Sequence, residues 1–97
     1  MGQRIAILGG GVMGETFVSA LRSAGNDNLI VAEKRPERAA ELVAQHQIEV
    51  TESTPDAVSG AAVVLIAVKP YDVGALLAEI SSTLSPDALV LSLAAGV

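Results

Sequence analysis

The hexapeptide Gly9-Gly10-Gly11-Val12-Met13-Gly14 has the spacing G-x-G-x-x-G, and each glycine of that spacing has a physical task when a loop grips a diphosphate. Gly9 allows a tight turn, Gly11 lets the backbone approach the anion, and Gly14 lets a helix pack closely against the preceding strand. A helix opening at about Val12 would aim unpaired N–H groups at the same anion. Alone the hexapeptide is a weak signal, because glycine-rich turns are common in purely structural loops. Its context is stronger: it follows an apolar run, opens an amphipathic segment, and has an acidic residue, Glu33, nineteen positions after Gly14. The pattern points to dinucleotide binding.

Glu33 stands where a carboxylate would accept hydrogen bonds from an adenosine ribose, which favours NAD. Lys34 and Arg35, with Arg38 one turn on, argue for NADP, since their charges suit a 2′-phosphate. The residues leave that choice open, and a solvated charged turn is the bland alternative. Lys69-Pro70 falls after a strongly apolar run, where a lysine could lie near a nicotinamide ribose or simply keep its amine in water. Ala94-Ala95-Gly96 is small enough to let a flat ring approach the backbone. Thr54 is either a cofactor contact or a helix cap. His46 sits at the polar end of the second helix, away from the carboxyl ends of the strands, and reads as without function, and Asp72 reads as a cap rather than a base. No histidine and carboxylate cluster has metal-ligand spacing, and no nucleophile has a visible base.

These residues need a scaffold. Residues 5–8, 29–32 and 62–68 are continuous apolar runs, the signature of parallel strands covered on both faces, and residues 48–50 and 89–93 read as a short third strand and a fifth. Between them lie helical patterns. Met13, Phe17, Ala20, Leu21 and Ala24 make a stripe that ends at Gly25. Ala39, Leu42 and Val43 follow Pro36, and Val73, Leu76, Leu77, Ile80 and Leu84 mark a last inner face. Thr54-Pro55-Asp56 predicts a capped short helix running to about Ser59. Alternating strands and helices imply right-handed crossovers, a parallel sheet of order 3-2-1-4-5, and helices on both sides.

Composition narrows the function. The chain has 97 residues, no cysteine, six Lys and Arg against eleven Asp and Glu, and 2% aromatics. Disulfide scaffolds, cysteine nucleophiles and thiolate metal sites are excluded, and the charge and aromatic content make nucleic acid an unlikely partner. The longest apolar run is residues 61–68, far below the roughly 18 to 20 residues of a spanning helix, so no membrane partner is expected. A hydrophobic fraction of 51% is high for so short a chain. The expectation is one dinucleotide-binding domain over residues 1–97, cut from a larger oligomeric protein.

Residues 5–15, Val31-Ala32-Glu33-Lys34-Arg35-Pro36-Glu37-Arg38, Ala67-Val68-Lys69-Pro70 and Ser92-Leu93-Ala94-Ala95-Gly96-Val97 closely resemble the amino-terminal domain of pyrroline-5-carboxylate reductase. The resemblance covers essentially the whole chain. It implies a Rossmann-type fold in a cytoplasmic enzyme that reduces 1-pyrroline-5-carboxylate to L-proline with NAD(P)H. It assigns Leu8, Gly9, Gly10, Gly11, Val12 and Met13 to the pyrophosphate and Glu33, Lys34 and Arg35 to the adenosine ribose. Ala67, Val68, Lys69 and Pro70, with Ala94, Ala95 and Gly96, go to the nicotinamide half. The family leans towards NADP, but often has a neutral residue near Glu33, so NAD stays open. It also implies a further helical domain, absent from these 97 residues, that makes a homo-oligomer and completes the substrate pocket. Without it, nucleotide would bind weakly and no turnover is expected. Alternatives are another small dehydrogenase, of the hydroxyacid or deazaflavin-linked NADP type, a nucleotide sensor without catalysis, or a methyltransferase.

Overall fold

A computed structural model describes residues 3–68 and 73–92. Five parallel strands form one sheet in the order β3-β2-β1-β4-β5, with β1 at Ile5–Leu8, β2 at Leu29–Ala32, β3 at Glu49–Thr51, β4 at Val63–Ile66 and β5 at Leu89–Ser92. The helices are α1 (Val12–Ser23), α2 (Pro36–His46), α3 (Thr54–Val58) and α4 (Val73–Ile80). The expected order is the observed one. Its centre is β1, paired with β2 on one side (Ile7 opposite Val31) and β4 on the other (Ile7 opposite Leu65). Successive strands are laid down outward from β1 first on one side and then on the other, and that reversal of strand order leaves a crevice at the carboxyl ends of the strands.

The two faces of the sheet are covered separately, which is why the three inner strands β2, β1 and β4 are apolar throughout, while the edge strands β3 and β5 carry Glu49, Thr51 and Ser92. Val18 of α1 and Leu42 of α2 pack with Ile7, Leu29, Val31 and Leu65 on one face. Ala57 and Val58 of α3 and Ile80 of α4 pack with Ala6, Leu8, Ile30, Val64 and Ile66 on the other.

Several helix faces differ from the expected ones. In α1 the inward residues are Gly14 and Val18, with Phe17 and Leu21 packed beside them, whereas Met13, Ala20 and Ala24 face outward. Spacings of three, one and three residues from Gly14 make one stripe, but a glycine carries no apolar signal, so the hydrophobic period points to the neighbouring Met13, Ala20 and Ala24. Val43 and Leu77, both expected inside, are exposed, because Leu42 alone in α2 and Val73, Leu76 and Ile80 in α4 fill the space over the sheet. The third strand begins and ends one residue later than expected. Glu33 N–H donates to the Thr51 carbonyl at 2.9 Å, extending its pairing forward. The fourth strand is shorter at both ends, since its ladder with β1 closes at Leu8 opposite Ile66.

The helix ends follow capping rules. Gly25, at φ 93°, lies one residue beyond the Ala24 cap of α1, its N–H on the Arg22 carbonyl and that of Asn26 on Leu21. This pair of bonds is the Schellman arrangement, and it needs the left-handed residue. The cap of α3 is Ser53 rather than Thr54: its hydroxyl accepts the Asp56 N–H at 3.3 Å, while Thr54 is buried inside the helix start. Replacing Ser53 with alanine is expected to cost about 0.5–1 kcal/mol, read from urea unfolding, and Thr54→Ala is not expected to act through a cap.

Candidate functional site

Where the glycine loop leaves β1, the chain turns sharply. Gly9 sits at φ 114°, and a Cβ built on it would lie 2.6 Å from the Ala67 carbonyl oxygen, so the turn accepts no side chain. A Cβ on Gly14 would collide with the Gly9 carbonyl, which shows how closely α1 is laid over the loop. Gly10, an unconstrained position in the sequence motif, is constrained too: a Cβ there would meet Glu33 Oε1 at 2.7 Å and Leu42 Cδ1 at 2.8 Å. Gly11 is the exception, with nothing within 4 Å of its Cβ position. Three glycines serve packing and one faces open space.

Gly11 is also the cap of α1 and has no side chain to satisfy the helix amides, whose first forward bond runs from Glu15 N–H to the Gly11 carbonyl at 2.9 Å. The Gly11 N–H itself has no protein acceptor among the described residues. An anion held against residues 11–13 would meet partnerless donors at the positive end of a helix dipole.

This surface opens onto a cleft of about 600 Å³ above the carboxyl ends of β1, β2 and β4. Of the expected site residues, Leu8, Gly9, Gly10, Gly11, Glu33, Lys34, Arg35, Thr54, Ala67 and Val68 line it together. Val12, Met13 and Gly14 lie beside it in the first turn of α1 and present no side chain to it. Lys69, Pro70, Ala94, Ala95 and Gly96 lie outside the described residues, as does Asp72. Ala32 and, from α4, Ala75, Leu76 and Glu79 also line the cleft. Ala75 and Glu79 carry no signal in the helical periodicity, which marks only an inner face; Leu76 belongs to that face and reaches the cleft from it.

Glu33 is buried, and its environment decides what its carboxylate can do. Oε1 accepts the Gly10 N–H at 3.0 Å and Arg35 Nη2 at 3.2 Å; Oε2 accepts the Arg35 N–H at 2.9 Å and Arg35 Nε at 3.0 Å. Burial pushes this carboxyl up, but the Arg35 side chain and amide, with the Gly10 amide, outweigh burial and hold it below its ordinary value. The group reserved in the sequence for a ribose is thus already engaged in fastening the glycine loop. Lys34 and Arg35 are largely exposed at the rim, with Lys34 Nζ 3.7 Å from Glu79 across the cleft.

Arg38 departs from expectation. It does not line the cleft; its Nε donates to the Gly10 carbonyl at 2.6 Å, Nη2 to Glu15 at 2.6 Å and Nη1 to Glu41 at 3.1 Å. His46, at the end of α2, lies with its Nε2 2.9 Å from Glu15 Oε2. The hydrogen bonds from His46 and Arg38 hold the Glu15 carboxyl below its ordinary value. Among the described residues no group of His, Asp or Glu is placed to hold a metal, and no helix is long and apolar enough to cross a membrane.

A doubly wound parallel sheet with a glycine loop opening onto its switch-point crevice defines the class of nucleotide-binding Rossmann domains. The chain belongs to the family described as NADP oxidoreductase, coenzyme F420-dependent, whose model matches residues 4–96. It is 44% identical over 81 residues to the pyrroline-5-carboxylate reductase of Mycobacterium tuberculosis H37Rv, covering 81% of this chain and 27% of that protein. With the pyrroline-5-carboxylate reductase of Mycobacterium leprae the identity is 40% over 101 residues, covering 97% and 34%. The solved structure of a pyrroline-5-carboxylate reductase from Coxiella burnetii superposes with a TM-score of 0.88 at 26% identity, covering 94% of this chain and 35% of that one. The chain therefore spans about a third of the length of the relatives it matches.

Proposed function

We propose that residues 1–97 form the coenzyme-binding unit of an NAD(P)H-dependent pyrroline-5-carboxylate reductase, which converts 1-pyrroline-5-carboxylate into L-proline. The observation that carries the reading is Gly11, whose open Cβ space and partnerless amide face the cleft of about 600 Å³. The relatives named above support the substrate. When bound, the reduced nicotinamide supplies a hydride to the imine carbon of the substrate. The chain's own part is to bind and orient. Amides of Gly11, Val12 and Met13 take the diphosphate, Thr54 contacts the coenzyme, and Ala67 and Val68, with Lys69, Pro70, Ala94, Ala95 and Gly96, serve the nicotinamide half. The working protein is a cytoplasmic homo-oligomer.

NADP is the better fit of the two coenzymes. Glu33 is buried, with its carboxylate engaged by Gly10 and Arg35, and offers a ribose diol little, whereas Lys34, in a loose exposed pair with Glu79 at 3.7 Å, and the exposed side of the Arg35 guanidinium stand at the rim, open to a 2′-phosphate. Lys34→Ala should weaken NADPH by about tenfold, the loss expected for one hydrogen bond to a charged group, and leave NADH nearly unchanged. Equal losses for both coenzymes would count against the assignment.

The reading as a whole is tested by assaying the intact protein for 1-pyrroline-5-carboxylate reduction, following loss of the reduced nicotinamide absorbance. Turnover with NADPH is expected. Tight coenzyme binding without turnover on this substrate would move the protein to another activity of its family, including deazaflavin-linked reduction.

A further inference from the structure

We infer that Arg38, which lies outside the cleft, is a positioning residue that aims the Gly11 amide at a bound diphosphate. The inference rests on the nucleotide-binding reading above.

The peptide joining Gly10 to Gly11 is planar and trans, so its carbonyl and its N–H point in opposite directions. Arg38 Nε holds that carbonyl at 2.6 Å. Fixing the carbonyl fixes the line of the Gly11 N–H. Packing cannot do this at Gly11, which has nothing within 4 Å of its Cβ position, and glycines have the widest backbone freedom of any residue. The Gly10 N–H is held independently by Glu33, so the peptides on both sides of Gly10 are anchored by side chains from β2's end and from α2.

Arg38 is itself held. Its other nitrogens bond Glu15 of α1 and Glu41 of α2, its side chain is only 20% exposed, and Glu15 is steadied in turn by His46. One guanidinium joins the loop, α1 and α2. Two carboxylates against one cation also leave little net positive charge to attract a phosphate. Arg38 therefore acts through orientation, and its removal should be felt only by ligands that use the loop.

The test compares NADPH with 2′-AMP, which shares the adenine, ribose and 2′-phosphate but has no diphosphate. Both affinities are measured on the intact protein, together with the melting temperature. Arg38→Met keeps much of the aliphatic stem and removes every donor; it should weaken NADPH by about tenfold or more relative to any change for 2′-AMP. Arg38→Lys keeps the charge but cannot serve the Gly10 carbonyl and Glu15 with a planar fork, so it should recover little. If Arg38→Met does not fold, Arg38→Lys is judged by the same ratio. Parallel losses for both ligands, or none, would overturn the inference, and a larger loss for 2′-AMP would overturn it in favour of direct phosphate contact. Wild-type protein that binds neither ligand would instead sink the nucleotide reading on which it stands.

Discussion

Gly14→Ala and Gly11→Ala are expected to do opposite things. The first should cost about 3 kcal/mol, because the new methyl meets the Gly9 carbonyl and neither backbone can move without lifting α1 from the loop. For a domain of this size that is a fall in melting temperature of roughly 10–20 °C. Gly9→Ala belongs with it, since it combines a φ of 114° with a Cβ 2.6 Å from the Ala67 oxygen. Gly11→Ala should change stability by less than about 1 kcal/mol, as its φ of −74° suits any residue and its surroundings are empty. Its effect should fall on NADPH, weakened by about tenfold or more because the methyl stands where the diphosphate must approach. Thermal melts and coenzyme titrations of the three variants check this. A Gly11→Ala protein that binds NADPH like the wild type would remove the loop from the binding site.

The second large effect is at Glu33. Glu33→Ala should cost about 2–3 kcal/mol even without coenzyme, because it strands the Gly10 amide beside the core and releases Arg35. The pH dependence has a definite sign. A carboxyl whose value is lowered on folding adds stability that is present above its unfolded value and lost as the pH falls through the folded one, so the window lies at and below the ordinary 4.5. Glu15 contributes in the same direction, and the comparison must therefore be between variants. Glu33→Gln, which retains an acceptor for Gly10 but no titration, should show a shallower acid limb in urea midpoint against pH. If Glu33 served only as a ribose acceptor, neither variant would alter the unliganded protein. A wild-type melting curve for Glu33→Ala would overturn the fastening role.

Much of this was legible in the residues. Continuous apolar runs forecast the strands and their covering on both faces, since period and length survive without tertiary information. Errors fell where the signal was indirect. The buried stripe of α1 runs through Gly14, which has no side chain to advertise burial, and Thr54 resembles a cap because serine and threonine both serve as caps and the two stand side by side before Pro55, where only backbone geometry picks Ser53. The partners of Arg38 and His46 are out of reach of sequence for a related reason: spacing offers Arg38 to a phosphate and gives His46 no role, and partners 23 and 31 positions away in sequence leave no local trace.

The order of residues along the chain was enough to specify a parallel sheet, a glycine loop at the end of its first strand, and an acid and two cations after its second. Those features depend on local spacing and on the hydrophobic period, which are properties of the chain before it folds. The allocation of partners was not contained in that order. Whether Glu33 greets a ribose or fastens Gly10, and whether Arg38 meets a phosphate or a carbonyl, depends on how closely two strand ends and two helices approach in space. Hydrogen bonds form between groups brought within about 3 Å of each other, and only the packing of the core sets those distances.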